Sequence, residues 1–246
     1  MTTTTYQTTT VRAATSDATL YRWLGAMLIA QFAIFAIALI TLGSAIDWPA
    51  SLDKPASEVL PLIRDQRAAV ALGYTSYFLS ATLLIPIALL LRQALRAADG
   101  GLLTIAAGFG AIAGFAKLLG IGRWLFMMPA LAESYAAAPN ASTRETLELI
   151  YTTFNHYAGG VGENLGVALF GGLWTGCMAV VILRSGRLPR WLGYFGLVAA
   201  LFVLSPLAEV YGVGIGPMVV VSGVIWQVWM ITLGGLFLVR SRYSQA

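Results

Sequence analysis

Charged side chains are scarce in this sequence. Asp, Glu, Lys and Arg make up 11% of its 246 residues, against about 25% in soluble domains. So few charges cannot cover the surface of a water-soluble protein of this length, and 58% of the residues are hydrophobic. The composition therefore predicts a membrane protein whose main partner is the lipid bilayer.

Histidine and cysteine are almost absent. His156 is the one histidine and Cys177 the one cysteine, so no disulfide bond can form within the chain. The same scarcity excludes a bis-histidine haem, an H-E-x-x-H zinc site and a multi-cysteine zinc site within one chain. We predict no metal and no cofactor, although a carboxylate-only metal site stays open. No basic stripe interleaved with aromatics occurs, so no nucleic-acid partner is expected.

What the chain does have is six long apolar segments, each near the roughly 20 residues that a helix needs to cross a bilayer. They predict an all-α polytopic membrane protein, a bundle of six transmembrane helices at about 22–46, 68–95, 102–128, 158–184, 189–211 and 215–239. Residues 19–242 form a single domain in this prediction. The Thr-rich residues 1–18 lack apolar periodicity, which predicts a disordered tail.

Two of the polar connections are predicted to contain a helix. After the first span, "DWPASLDKPASEVLPLIRDQ" predicts a short interfacial helix near 57–65. Before the fourth span, Ser142 and Glu145 have the spacing of a capping box. The apolar stripe that follows them predicts an amphipathic helix, either lying on the surface or running straight into the fourth span.

The distribution of basic residues predicts the orientation of the chain. If the N-terminus is cytoplasmic, nine arginines lie on the cytoplasmic side and four basic residues lie outside. Positive charge concentrates on the cytoplasmic side of membrane proteins. We therefore expect both termini in the cytoplasm.

Four ionisable residues fall within the predicted spans: Lys117, Arg123, Glu163 and Glu209. An unpaired charge at the bilayer centre costs about 3 kcal/mol, so such residues usually face the bundle interior and pair. A rise of about 1.5 Å per residue brings three of them to a similar depth below the outer surface, with Lys117 deeper. The pattern predicts a neutral layer of four charges.

Further polar residues are expected in the same outer half of the bundle. His156 lies two helical turns before Glu163, Asn164 follows it, and the second span adds two tyrosines. The candidate ligand-binding residues are Lys117, Arg123, His156, Glu163, Asn164, Glu209, Tyr74 and Tyr77. A purely structural role as ion pairs or interfacial anchors stays open for them. Trp226, Gln227 and Trp229 are interpreted as packing and helix–helix hydrogen bonding.

Glycines four residues apart occur in three pairs, Gly110/Gly114, Gly162/Gly166 and Gly172/Gly176. This spacing lets helix backbones approach closely. It favours tight packing within one bundle, with a homo-oligomer through one of these faces as the alternative.

From Gly171 the chain reads "GGLWTGCMAVVILRSGRLPRWLGYFGLVAAL". The turn between the fourth and fifth spans contains Arg184, Ser185, Gly186, Leu188, Pro189, Arg190, Leu192 and Gly193. This pattern resembles the bacterial membrane-protein family known as domain of unknown function 4386, most strongly over about 165–200. The resemblance implies the fold and a location in the plasma (inner) membrane of a bacterium, and it implies no activity.

Three classes of function stay open. The favoured hypothesis is a protein that binds or transports a small molecule through a polar cavity in the outer half of the bundle. A non-catalytic structural or regulatory membrane protein is the first alternative. The second is an intramembrane enzyme acting on a lipid or isoprenoid-like substrate, with glutamate and histidine as acid and base. Whether the protein is an enzyme is therefore undecided at this stage.

Overall fold

The computed structural model describes residues 3–96, 100–216 and 218–243, with side chains from residue 17 onward. Its α-helices are α1 (Thr3–Ile46), α2 (Ala56–Asp65), α3 (Arg67–Ala94), α4 (Gly100–Phe126), α5 (Met128–Ala136), α6 (Ala141–Gly159), α7 (Gly172–Ser185), α8 (Arg190–Leu204) and α9 (Met218–Tyr243). A π-helical stretch, Gly160–Gly171, joins α6 to α7, and we call it the π segment. Two 3-10 turns, Ala50–Asp53 and Ser205–Tyr211, complete the secondary structure, and these described residues contain no β-strand.

Six helical stretches are long and apolar enough to cross a membrane: Asp17–Ile46, Arg67–Ala94, Gly100–Ala136, Ala141–Ser185, Arg190–Tyr211 and Met218–Tyr243. The prediction of an all-α, six-helix, multi-pass membrane protein is therefore confirmed. Each of these helices packs against its neighbours in the chain, and α9 packs back against α1. The six helices thus close into a ring in sequence order.

Helix boundaries differ from the prediction at two places. The backbone of α1 begins at Thr3, within the segment predicted to be a disordered tail, and no proline or glycine interrupts the chain before Gly25. Residues 1 and 2 lie outside the described residues. At the start of α6 the capping residue is Asn140 and not Ser142, so the predicted capping box is wrong. Asn140 has extended backbone angles, and its side chain accepts a hydrogen bond from the Thr143 amide at 2.9 Å, as an N-cap requires.

The connections between the spans follow the other predictions. The predicted interfacial helix is α2, and the amphipathic helix α6 runs straight into the fourth span through the π segment. Helices α2 and α5 pack against each other at one end of the ring. We call this the α2–α5 end; it corresponds to the side predicted to be outer.

Two hydrophobic clusters fill the interior of the ring. One includes Leu28 and Trp229 and lies toward the chain termini. The other includes Leu42 and Trp124 and lies toward the α2–α5 end. Along α1, Gln31 falls between the residues of the two clusters, and along α4 Lys117 does so. Buried polar side chains therefore separate two apolar cores.

Candidate functional site

Arg123, near the end of α4, forms the most extensive polar contact in the described bundle. Its side chain is only 6% exposed. Its Nε–H donates to Asn155 Oδ1 at 3.2 Å, one Nη donates to the Gly120 carbonyl at 2.8 Å, and the other lies 3.4 Å from Glu163 Oε1. Asn155 in turn donates to the carbonyl of Leu52 at 2.9 Å. Arg123 thus ties α4, α6, the π segment and the first connecting loop together.

Sequence reasoning missed Asn155, although a pattern could have found it. Asn155, Gly159 and Glu163 are spaced by four residues, and all three approach the Arg123 guanidinium. His156, predicted to share a face with Glu163, is exposed instead. The π segment starts at Gly160 and its turns take more residues than α turns. The residue that aligns with Glu163 therefore lies eight positions earlier and not seven.

Glycines let the π segment lie against α4. A Cβ on Gly120 would meet the Cα of Gly162 at 2.5 Å, and one on Gly166 would meet the backbone nitrogen of Lys117 at 2.9 Å. Gly110 and Gly172 are also in close contact with neighbouring helices of the same chain. These contacts support the interpretation of the glycine pairs as packing within one bundle.

Glu163 is much less enclosed than its partner. Its side chain is 55% uncovered by protein, and its Oε2 has no hydrogen bond or ion pair within the described residues. Its single contact, at 3.4 Å, is longer than the roughly 2.7–2.9 Å of a strong charge-assisted hydrogen bond. Glu163 is therefore held loosely, and π-helical stretches such as the one that carries it often mark functional sites.

Lys117 is the other buried cation, and its surroundings differ. It is 3% exposed, and its Nζ lies 5.1 Å from the ring centroid of Tyr77 and 5.5 Å from that of Trp226. None of the ion pairs or hydrogen bonds of the described residues includes its ammonium group. Desolvated cation–π contacts each contribute about 2 kcal/mol, but they leave the positive charge without a counter-charge.

Two buried glutamines lie at the level of Lys117. The rings of Tyr21 in α1 and Phe237 in α9 are in contact, with their centroids 5.5 Å apart. The two helices are antiparallel, so Gln31, ten residues further along α1, lies level with Gln227, ten residues earlier in α9. Gln31 is 1% exposed and Gln227 6%. Both amide atoms of Gln31 and Oε1 of Gln227 are buried without a hydrogen-bond partner in the described chain. We call Gln31, Lys117 and Gln227 the middle layer.

The tryptophans of α9 make the hydrogen bonds that the sequence suggested. Trp226 Nε1 donates to Thr175 Oγ1 at 2.9 Å, and Trp229 Nε1 donates to the Leu192 carbonyl at 3.1 Å. Trp226 also faces Lys117. Its role is therefore wider than packing alone.

The eight candidate residues separate into three sets. Arg123 and Glu163 are paired, and Tyr74 adjoins them because it stacks on Trp124 at 4.7 Å between centroids. Lys117 and Tyr77 form the second set. His156, Asn164 and Glu209 make up the third set, and among the described residues no side-chain hydrogen bond or ion pair joins any of them to the other candidates. The structure thus brings two of the four predicted charges together.

The chemical groups present limit what the described residues can do. They contain no group of three or more His, Cys, Asp and Glu side chains that could hold a metal ion. The arrangement offers a buried unpaired cation, a half-uncovered carboxylate and several unpartnered amide and phenol groups. These groups suit binding of a small polar or charged molecule.

Comparison with known proteins gives one match. A sequence profile described as "Domain of unknown function (DUF4386)" matches residues 23–234, which is most of the chain. No curated protein matches the chain, and no solved structure does. The match confirms the resemblance seen around Arg184 and extends it across all six helices.

Proposed function

The chain belongs to the family described as domain of unknown function (DUF4386), and on that premise we propose that it binds a small anionic molecule within its bundle and carries it across the membrane. Lys117 is the residue that holds the negative charge in this proposal. The anion enters from the α2–α5 end, past the half-uncovered Glu163.

The observation that carries the proposal is the isolation of Lys117. A buried charge left without a partner costs several kcal/mol, and intramembrane ionisable residues usually serve a ligand or ion pathway. Lys117 lies nine residues before the end of α4, about 14 Å along the helix axis. At that depth an anionic ligand would supply the counter-charge that the described residues do not.

The unpartnered amide of Gln31 supports the same site. Buried polar groups nearly always have a hydrogen-bond partner. The Gln31 N–H groups can donate to an anion beside Lys117, while the rings of Tyr77 and Trp226 exclude bulk water. These groups give the middle layer polar, oriented contacts within an apolar surround, as small-molecule sites have.

A structural role is the second candidate, and Arg123 favours it. Three protein acceptors surround its guanidinium, so Arg123 fixes the helices and is not proposed as a ligand contact. An enzyme is not proposed, because among the described residues neither His156 nor Glu209 forms a hydrogen bond or ion pair with Glu163.

The chain offers a matched control for testing Lys117. Its other lysine, Lys54, lies at the α2–α5 end and pairs with Asp47 at 2.7 Å. The hydrogen bond to Asp47 raises the pKa of the Lys54 ammonium above its usual range, so Lys54 carries charge at neutral pH. Lys117→Met and Lys54→Met therefore make the same substitution in the middle layer and at the surface.

Iodide is a suitable probe because it is an anion that quenches tryptophan emission. In proteoliposomes, we expect saturable quenching of the wild-type protein and of Lys54→Met, and loss of the saturable component in Lys117→Met, since Trp226 is beside Lys117. Acrylamide, a neutral quencher, should affect all three alike. Lys117→Met should also be as stable as wild type or more so, because it removes a buried charge.

Two results would contradict the proposal. Iodide quenching that is linear and equal in all three proteins would mean that no anion reaches Lys117. Strong destabilisation by Lys117→Met would show that its contacts with the rings serve folding. Iodide efflux from loaded vesicles separates the two parts of the proposal, because saturable quenching without efflux indicates binding without transport.

A further inference from the structure

A crevice separate from the middle layer lies at the α2–α5 end, between α2, α3, α4 and α5. Its volume is about 170 Å³, and its walls include Ile63, Val70, Trp124 and Leu125, with Arg67 also lining it. Small-molecule pockets usually measure about 300–1,000 Å³. The crevice therefore suits part of an acyl chain better than a whole solute.

The position of the crevice matches the boundary between headgroups and hydrocarbon. Arg67 is the first residue of the second membrane-spanning helix, and basic residues commonly lie at that boundary. On the same helix Leu72 is 57% uncovered, and Phe126, next to the lining residue Leu125, is 75% uncovered. Lipid can therefore approach the crevice from the side.

The charges beside the crevice do not balance. Arg64 Nε lies 3.6 Å from Glu133 Oε2, and Arg67 Nη1 lies 3.5 Å from Glu133 Oε1. Two guanidinium groups thus share one carboxylate at long distances, which leaves one net positive charge among these three groups; Asp65, between the two arginines in the sequence, forms no ion pair with either among the described residues. The side chains of Arg64 and Arg67 are 52% and 70% uncovered. Their remaining N–H donors have the planar geometry that binds phosphate.

We propose that this crevice binds an anionic phospholipid, with the headgroup phosphate on Arg64 and Arg67 and one acyl chain against Ala71 and Leu125, the less buried residues of its lining. A net positive rim beside an apolar crevice complements a lipid with a net negative headgroup. A zwitterionic lipid would bring its own cation toward the two arginines. The site is independent of Lys117, so either proposal can fail without the other.

Native mass spectrometry of the full-length protein, released from micelles that contain phosphatidylglycerol or phosphatidylcholine, tests the site. We expect phosphatidylglycerol to be retained about tenfold more, the change expected for one charge-assisted hydrogen bond. Arg64→Gln/Arg67→Gln should abolish this preference. Arg144→Gln, which removes an exposed arginine from α6 at the same end, should leave it unchanged.

The expected effect of Glu133→Gln is a gain in lipid retention, which misfolding would not produce. It frees both arginines from their shared carboxylate, so retention of phosphatidylglycerol should rise. Ala71→Leu places extra carbons in the crevice without changing any charge, and it should lower retention.

Several results would overturn the proposal. Equal retention of phosphatidylglycerol and phosphatidylcholine by the wild-type protein would do so. So would a loss of the preference in Arg144→Gln as large as in Arg64→Gln/Arg67→Gln, or unchanged retention of phosphatidylglycerol in Glu133→Gln. Displacement of the lipid by millimolar inorganic phosphate, with no effect of Ala71→Leu, would show a site for free phosphate.

Discussion

Arg123 and Glu163 form one ion pair, but the structure predicts that removing its two members has unequal consequences. Arg123→Gln leaves Asn155 Oδ1 buried without its donor, whereas the Gly120 carbonyl keeps the backbone donor of its own helix. An unpaired buried group costs about 1–3 kcal/mol, so we expect a loss of about 1–3 kcal/mol in the free energy of unfolding. The Leu52 loop should also loosen, because Asn155 would lose one of its two fixed contacts.

Glu163→Gln should cost far less. The Glu163 side chain is 55% uncovered and its contact with Arg123 is 3.4 Å long, and exposed ion pairs contribute about 0–1 kcal/mol. Glutamine also keeps an oxygen acceptor at the same place. We therefore expect a loss of about 1 kcal/mol or less.

Reversible unfolding of the purified protein in mixed micelles, titrated with sodium dodecyl sulfate and followed by tryptophan emission, measures both free energies. Arg144→Gln is the control for loss of an exposed guanidinium. If Glu163→Gln costs as much as Arg123→Gln, the ion pair and not the neutral acceptors holds the helices together. If Arg123→Gln costs less than about 1 kcal/mol, which is below the cost of a single unpaired buried group, Arg123 does not tie the helices together.

Three further predictions concern packing, capping and orientation. Gly162→Ala should cost about 1–3 kcal/mol of unfolding free energy, because its Cβ would lie 2.9 Å from the Cα of Gly120. A Cβ on Gly160 would have nothing within 4 Å, so Gly160→Ala should be neutral or stabilising. The same detergent titration measures both variants. Asn140→Ala should lower stability by about 1 kcal/mol, while Ser142→Ala should change it by a few tenths at most, and the reverse order would mean that the cap is misassigned. Epitope tags at both termini should resist external protease in intact cells, while a tag in the loop between α5 and α6 should be cleaved; cleavage of either terminal tag would refute the orientation.

The sequence was sufficient to predict the six helices, because their apolar runs are long and the charges between them are few. It also predicted α2, since its apolar residues follow a helical stripe that ends before Gln66. Helix α5 was not predicted as a separate element. The third apolar run continues past Met127 without a polar break, and the sign of an interruption there is Pro129, in the first turn of α5.

The contacts of the site were predictable from the sequence only where they depend on the depth of a residue along its helix. Counting residues brought Arg123 and Glu163 to one level, and they pair. The same count could not show that Lys117 is directed toward Tyr77 and Trp226, because that depends on helix rotation. Asn155 was missed since its neighbour His156 is the ionisable residue and an uninterrupted α-helix was assumed up to Glu163.

The π segment has a consequence for how the length of this chain can change during evolution. Each π turn contains more residues than an α turn, so removing one residue from Gly160–Gly171 could return a turn to α geometry without altering the helices on either side. Related sequences should therefore tolerate single-residue deletions there better than in the middle of α4. Such a deletion would rotate Glu163 away from Arg123, or bring His156 onto the helix face that carries Glu163. Relatives of different length would then differ in the polar groups that they present.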